Sequence, residues 1–438
     1  MKEIKKGSFS RGFRVAKLGL KTGLKAASNY IVPQDQEDYL FNQMKLIAEE
    51  LGQLKGTMMK VGQGLSMYGE HFLPPKANGI LKSLQSSSPP LDWESIETTL
   101  EKELGMKAFN DLEIEEEALA AASLGQVHKA TIKKTGEVIA LKVQYPGVEE
   151  AIQSDIKNLK RVFSLGKIFP SEMKLDLIFQ EIQSMLLNEL DYEKELFWTQ
   201  AVFDNLKGDN RYLVPKPYPE FCTKKILATK FIEGVPVDSK TVEDLSQEHR
   251  NEIGFAFLEH YFNELFLYKS VQTDPHLGNY KIHITEDGKP RLVLLDFGAM
   301  KEVPDHFGDP FKKLISSALR NNRQGLIEAA ESMNYLKPDD PEKLIQHYIE
   351  LCLLIVEPFS TKDLEPCEYI TEDKEYIWNK TDLPKRATKA GTNIAKSFKL
   401  RTPPKESLFL DRKLGGTFIF LSVIGFRAFT DEWIRERI

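Results

Sequence analysis

The feature that most constrains this chain is an ordered run between residues 272 and 298. A polar loop, Gln272-Thr273-Asp274-Pro275-His276-Leu277-Gly278-Asn279, comes first. A strand pair follows around Lys281–Ile284 and Leu292–Leu295, joined by the turn Glu286-Asp287-Gly288. The second strand ends in Asp296-Phe297-Gly298. Asp274-Pro275 alone is a common turn, and Asp-Phe-Gly alone is a chance tripeptide. In this order, at loop and strand-end positions, they act together. The surrounding pattern reads helices first, then a small sheet with a long helical insertion, then a helical half carrying this one hairpin. That order predicts an α+β fold in two lobes.

The residue types suit phosphoryl transfer, which needs divalent cations to neutralise phosphate charge, so a carboxylate and an amide oxygen come together as hard ligands. Asp296 and Asn279 are the candidate Mg²⁺ ligands, and Asp274 the group that orients or deprotonates the attacking hydroxyl or water. Lys142 lies on the apolar strand Glu137–Val143, which with Gln126–Ile132 and the turn Lys133–Gly136 reads as a β-hairpin. A lysine at such a place contacts nucleotide phosphates and pairs with a helix glutamate, for which Asn188–Glu195 offers candidates. Where a glycine-rich phosphate loop would stand, the chain has Ala118–Gln126 with the single Gly125. Alanine narrows the loop's conformations and changes how nucleotide sits; the bland alternative is a helical turn packing under the hairpin, whose backbone amides can still meet phosphate. After Gly298 no Ala-Pro-Glu follows, and a helix is expected over Pro310–Arg320 with proline at its start. Little chain is left for a peptide-docking platform, so a small molecule or water is the better acceptor.

Elsewhere the pattern is helical. Tyr39, Met44, Ile47, Leu51, Leu54, Met58 and Val61 recur at helical steps within 36–85, and Ser86–Pro90 breaks the run. Asp92 is placed to cap a helix from Trp93 to about Leu104. A helical region is expected over 149–205 and a strand over Lys225–Ile232. Residues 1–30 hold eight Lys or Arg and one acid, Glu3, interleaved with Phe13, Val15, Leu18, Leu20 and Leu24, a pattern able to lie on an anionic membrane surface. The uncharged run Leu414–Phe426 is too short to span a bilayer and reads as a buried helix. The net charge of −6 argues against a nucleic-acid binder. Cys222, Cys352 and Cys367 are too few and scattered for a disulfide framework or a zinc cluster, so a reducing compartment is expected. No targeting signal is evident, and the expected location is cytoplasmic, with peripheral attachment at the inner face of a membrane. The expected domains are a basic leader (1–35), a helical extension (36–105), a sheet-bearing lobe (106–235) and a helical lobe (236–438).

These motifs together resemble the UbiB, or aarF-domain, family of atypical kinase-like proteins, close to its mitochondrial-type members. Lys60-Val61-Gly62-Gln63 resembles the family's Lys-x-Gly-Gln signature, Ala120–His128 its alanine-rich loop, and Glu189-Leu190-Asp191 its Glu-x-Asp motif. Gln272–Asn279 and Asp296–Gly298 resemble its catalytic and metal loops; Lys142–Val148 and Asp411–Gly416 are also similar. The resemblance covers roughly 40–430. It implies a protein-kinase-like bilobal fold with an N-terminal helical extension, ATP and Mg²⁺ as cofactors, and a tie to ubiquinone biosynthesis. It implies that Lys142 contacts phosphates and pairs with Glu195, that Asp274 is the catalytic aspartate, and that Asn279 and Asp296 hold metal. Ala120, Ala121, Ala122 and Ser123 would contact nucleotide. Lys60 and Gln63, on one helix face, would cover the site, with Lys60 pairing Glu189 or Asp191. Leu277 stands where bacterial members commonly carry proline, and the C-terminal membrane spans of many bacterial members are missing. The resulting expectation is an ATPase or phosphotransferase that binds ATP and ADP and acts on a small lipid-like molecule or quinone precursor. The rivals are a true protein kinase and a non-catalytic, nucleotide-gated lipid- or quinone-binding protein.

Overall fold

The structure, a computed structural model, describes residues 90–122, 124–166, 175–397 and 405–438. The basic leader, the 36–85 helices, Lys60, Gln63 and Ser123 lie outside the described residues. The described residues divide into two compact units: those up to 200 with 216–231, and those of 201–215 with 232–438.

The first unit is built on a four-stranded antiparallel sheet. Its strands are β1 (Leu112–Ala121), β2 (Gly125–Ile132), β3 (Val138–Gln144) and β4 (Ile226–Lys230), side by side in that order. Alternation in β2 and β3 explains their placement: Ile139, Leu141 and Val143 are fully buried while Lys142 between them points to the other face. Helix α1 (Trp93–Asn110) starts at Asp92, whose carboxylate accepts from the Ser95 amide at 3.2 Å. It runs beyond the expected end, kinked at Gly105 (φ 74°), and buries Ile96 and Leu100 against the sheet core. The 149–205 region is three helices: α2 (Val148–Gly166), α3 (Leu175–Glu189) and α4 (Tyr192–Asn205).

The alanine-rich stretch is not a helical turn. Ala118, Ala120 and Ala121 end β1, paired with His128, Val127 and Gln126 across two register shifts, and the Ala122 amide closes onto the Gly125 carbonyl at 2.9 Å. Backbone pairing to β2 overrides the helix preference of Glu115-Glu116-Glu117-Ala118. Gly125 has no room for a side chain, since a Cβ there would lie 2.3 Å from the Val143 carbonyl oxygen.

In the second unit, α5 (Gln247–Phe266) is followed by β5 (Ser270–Gln272), the hairpin β6 (Tyr280–Ile284) and β7 (Pro290–Leu294), and β8 (Met300–Glu302). Then come α6 (Asp305–Leu319), α7 (Arg323–Ser332), α8 (Glu342–Val356), α9 (Leu383–Ser397) and α10 (Lys405–Val423). Helix α6 starts earlier than expected: Pro304, not Pro310, stands at its N-cap, and Pro310 is inside it. The C-terminal apolar run is helical as expected, with Phe420 and Leu421 buried. No helix among the described residues is long and apolar enough to cross a membrane.

Candidate active site

In the first unit, Lys142 projects from the middle of β3, opposite Val127 on one side and Leu227 on the other. Its ammonium donates to both Glu195 oxygens, at 2.7 and 2.8 Å, and lies 5.1 Å from the Tyr192 ring centre. Both partners come from the first turn of α4. Asp191 caps that turn, accepting from the Lys194 amide at 2.9 Å. The Glu189-Leu190-Asp191 corner is tied to the sheet by Gln144, whose amide donates to the Leu190 carbonyl at 2.5 Å and the Lys224 carbonyl at 3.1 Å. Gln144 therefore sets where Glu195 stands, a role that sequence reasoning missed although it quoted the residue.

In the second unit, β5 and β8 pair antiparallel, with Gln272 opposite Met300. That pairing brings the ends of the two polar loops together. The Thr273 amide and hydroxyl donate to the Ala299 carbonyl at 3.0 and 2.8 Å, and the Leu295 amide donates to the Asn279 carbonyl at 3.0 Å. Asn279 uses its amide nitrogen on the Asp274 carbonyl at 2.8 Å, so its side-chain oxygen faces the opposite way as an acceptor. One Asp296 oxygen accepts from the Gly298 amide at 3.0 Å, which fixes the carboxylate over its own turn.

The donor set fits a magnesium ion carried by phosphate. It offers one carboxylate and one amide oxygen, and no cluster of three or more His, Cys, Asp or Glu able to hold a metal occurs among the described residues. Mg²⁺ typically takes one or two protein carboxylates and fills its remaining positions with phosphate and water.

Helix α10 supplies residues to which sequence reasoning gave no role. Arg412 donates to an Asp274 oxygen at 2.9 Å. Gly416 faces Pro275 so closely that a Cβ would lie 2.0 Å from the proline Cβ. Lys413 is buried against Glu264 of α5 at 2.6 Å, and Glu264 also accepts from the Gln272 amide at 3.0 Å. Burial alone would depress the Lys413 pKa, but the facing Glu264 holds it above the usual lysine value. His260, 3.6 Å from Glu264, is pushed down to about 4, chiefly by burial. One buried carboxylate thus joins α5, α10 and the strand entering the Asp274 loop.

A profile of the ABC1 atypical kinase-like domain matches residues 83–330, more than half of the chain. The chain belongs to this family. Among its relatives, a Dictyostelium discoideum protein called probable serine/threonine-protein kinase abkA is 32% identical, over 86% of this chain and 67% of its own length. Zebrafish (Danio rerio) atypical kinase COQ8B, mitochondrial, is 30% identical over 86% and 58%. Budding yeast (Saccharomyces cerevisiae) atypical kinase COQ8, mitochondrial, is 27% identical over 86% and 73%. The chain therefore spans about half to three quarters of the length of curated ABC1 relatives. Among solved structures, the Rv3197–erythromycin complex from Mycobacterium tuberculosis matches with TM-score 0.61 and 25% identity, covering 89% of this chain and 93% of that one. The ABC1 assignment covers β1 to β3, the Lys142–Glu195 pair and both polar loops; α10, with Arg412 and Lys413, lies beyond the matched residues.

Proposed function

We propose that this ABC1-family protein binds ATP with Mg²⁺ and turns it over slowly, to water or to a small lipid-like acceptor. The observation that carries this reading is the joining of the Asp274, Asn279 and Asp296 loops by the β5–β8 pair, with the Asn279 side-chain oxygen left as an acceptor. Asp296 and Asn279 would hold Mg²⁺, which when bound neutralises phosphate charge. Asp274 would take the proton of the attacking hydroxyl or water as its oxygen bonds to the terminal phosphorus and ADP leaves. Lys142, aimed by Glu195, would meet the phosphates.

A small acceptor is supported by the chain after Gly298. Only residues 299–304 separate it from α6, and three of them form β8. This leaves no segment for a peptide platform. The mitochondrial names of the COQ8 relatives support a role in quinone (ubiquinone-type) biosynthesis or lipid handling at an anionic membrane, where the basic leader would contribute attraction that salt weakens. A non-catalytic, nucleotide-gated binding protein is the second reading. It is favoured by one observation, the engagement of Asp274 by Arg412.

The test is Asp296→Asn. Stabilisation by Mg-ATP, which at a hundredfold excess over Kd is worth about 2.7 kcal/mol, should vanish while circular dichroism stays unchanged. Phosphate release with anionic vesicles should fall to background. Undiminished stabilisation by Mg-ATP would overturn the metal assignment; tight binding by the wild-type protein with no turnover would select the second reading.

A further inference from the structure

A cavity lies within the helical unit, and none of its lining residues belongs to the loops that carry Asp274 and Asp296. Helices α5, α6, α8 and α10 line this partly open cavity of about 130 Å³, walled by side chains that include Tyr261, Leu314, Ala318, Cys352 and Leu414. An apolar cavity of ~150 Å³ is large enough to take benzene. Besides the hydroxyls of Tyr261, Tyr335, Tyr348 and Thr417 and the Cys352 thiol, two polar groups stand out in this lining. The indole nitrogen of Trp378 is buried with no hydrogen-bond partner. Asp411 is the carboxylate in the wall. Water reaches it, yet the enclosing protein limits its hydration and pushes its pKa up to about 6. A ligand hydroxyl can accept from the first kind of group and donate to the second, and the rest of the wall asks for hydrocarbon.

We propose that this cavity is a binding site for a neutral, hydrocarbon-rich molecule bearing one hydroxyl group, with a six-carbon chain or single ring enclosed and the hydroxyl at Asp411. The site deepens the lipid-like partner of the preceding reading and rests on it for that partner's role. Its occupancy is tested without nucleotide, so the two fail separately. Asp411 immediately precedes Arg412, so the ligand and Asp274 would touch neighbouring residues of α10.

The experiment uses 6-bromohexan-1-ol, whose bromine quenches a nearby indole. Quenching of the full chain should saturate and should disappear in Trp378→Phe. Unbrominated 1-hexanol should displace the probe at about fivefold lower concentration than 1-methoxypentane, which has the same heavy atoms but no hydroxyl donor. Asp411→Leu should abolish that preference while keeping the affinity for the ether. Ala318→Phe, which fills the cavity, should weaken both by about tenfold, with near-ultraviolet circular dichroism reporting whether this variant folds. Quenching that rises linearly with concentration, or a preference for the alcohol unchanged in Asp411→Leu, would overturn the site whether or not Ala318→Phe folds.

Discussion

Each unit contains a lysine paired with a glutamate, and the two pairs sit in opposite surroundings. Lys142 keeps 22% of its side chain exposed over a Glu195 that keeps 2%. Lys413 and Glu264 keep 2% and 3%. Their separations are nearly equal, 2.7 and 2.6 Å. The difference lies in what else can reach the cation. Lys142 keeps a solvent-exposed face. Lys413 has none, and its partner is already shared with the Gln272 amide. A half-open pair presents charge to a ligand; a closed pair fixes the elements that carry it.

The largest effect is expected from breaking the closed pair. Lys413→Met leaves Glu264 charged in an apolar setting, and the loss should be about 3–5 kcal/mol, read as a lower urea midpoint. A loss below about 1 kcal/mol would erase the contrast. The next effect comes from acid. The His260 pKa is lowered in the fold, so the unfolded chain binds more protons between the two values. Stability should be intact above the ordinary histidine value of 6.5 and fall as pH drops toward about 4, by about 3 kcal/mol in all. Glu264 and Lys413 are the charged groups that face this ring. His260→Gln should flatten the pH dependence of the urea midpoint, and an equal slope in both proteins would assign it to other groups. The smallest stability effect belongs to the half-open pair. Lys142→Met should cost less than Lys413→Met, because 22% of the Lys142 side chain already faces solvent and the pair is partly screened, yet lower nucleotide affinity about tenfold. An equilibrium titration with a fluorescent ATP analogue measures the second, and similar losses for Lys142→Met and Lys413→Met in both assays would break the comparison.

The same contrast governs what could be read from sequence. Lys142 stands on an apolar strand ahead of an acidic helix, and the Asp274, Asn279 and Asp296 loops carry the residue types that the proposed metal and phosphate would need. Their chemistry is local, so sequence reasoning could name them. Glu264 and Lys413 are brought together only by folding, and each reads as an ordinary helical charge. The signal for Lys413 was present but weak: a cation at the edge of the apolar run Leu414–Phe426, where a buried charge demands a partner. Strand β1 was missed because Leu112–Ala121 is rich in Glu and Ala and buries only Leu112. Its extended form comes from pairing with β2, which its own residues do not announce. The start of α6 was misplaced because Pro310 is an acceptable helix start, while the true N-cap, Pro304, makes no side-chain capping bond.

The contact between Gly416 and Pro275 has a consequence for motion. Helix and loop meet there with no side chain between them on the helix side. Close-packed surfaces have discrete arrangements and do not slide continuously past one another. A shift of α10 therefore carries Pro275 with it, and Asp274 follows. Slow rearrangements of this helix and of the loop should share one rate constant. In relaxation-dispersion measurements, amides of Lys413–Thr417 and of Asp274–Asn279 should report a single exchange process on the microsecond-to-millisecond scale.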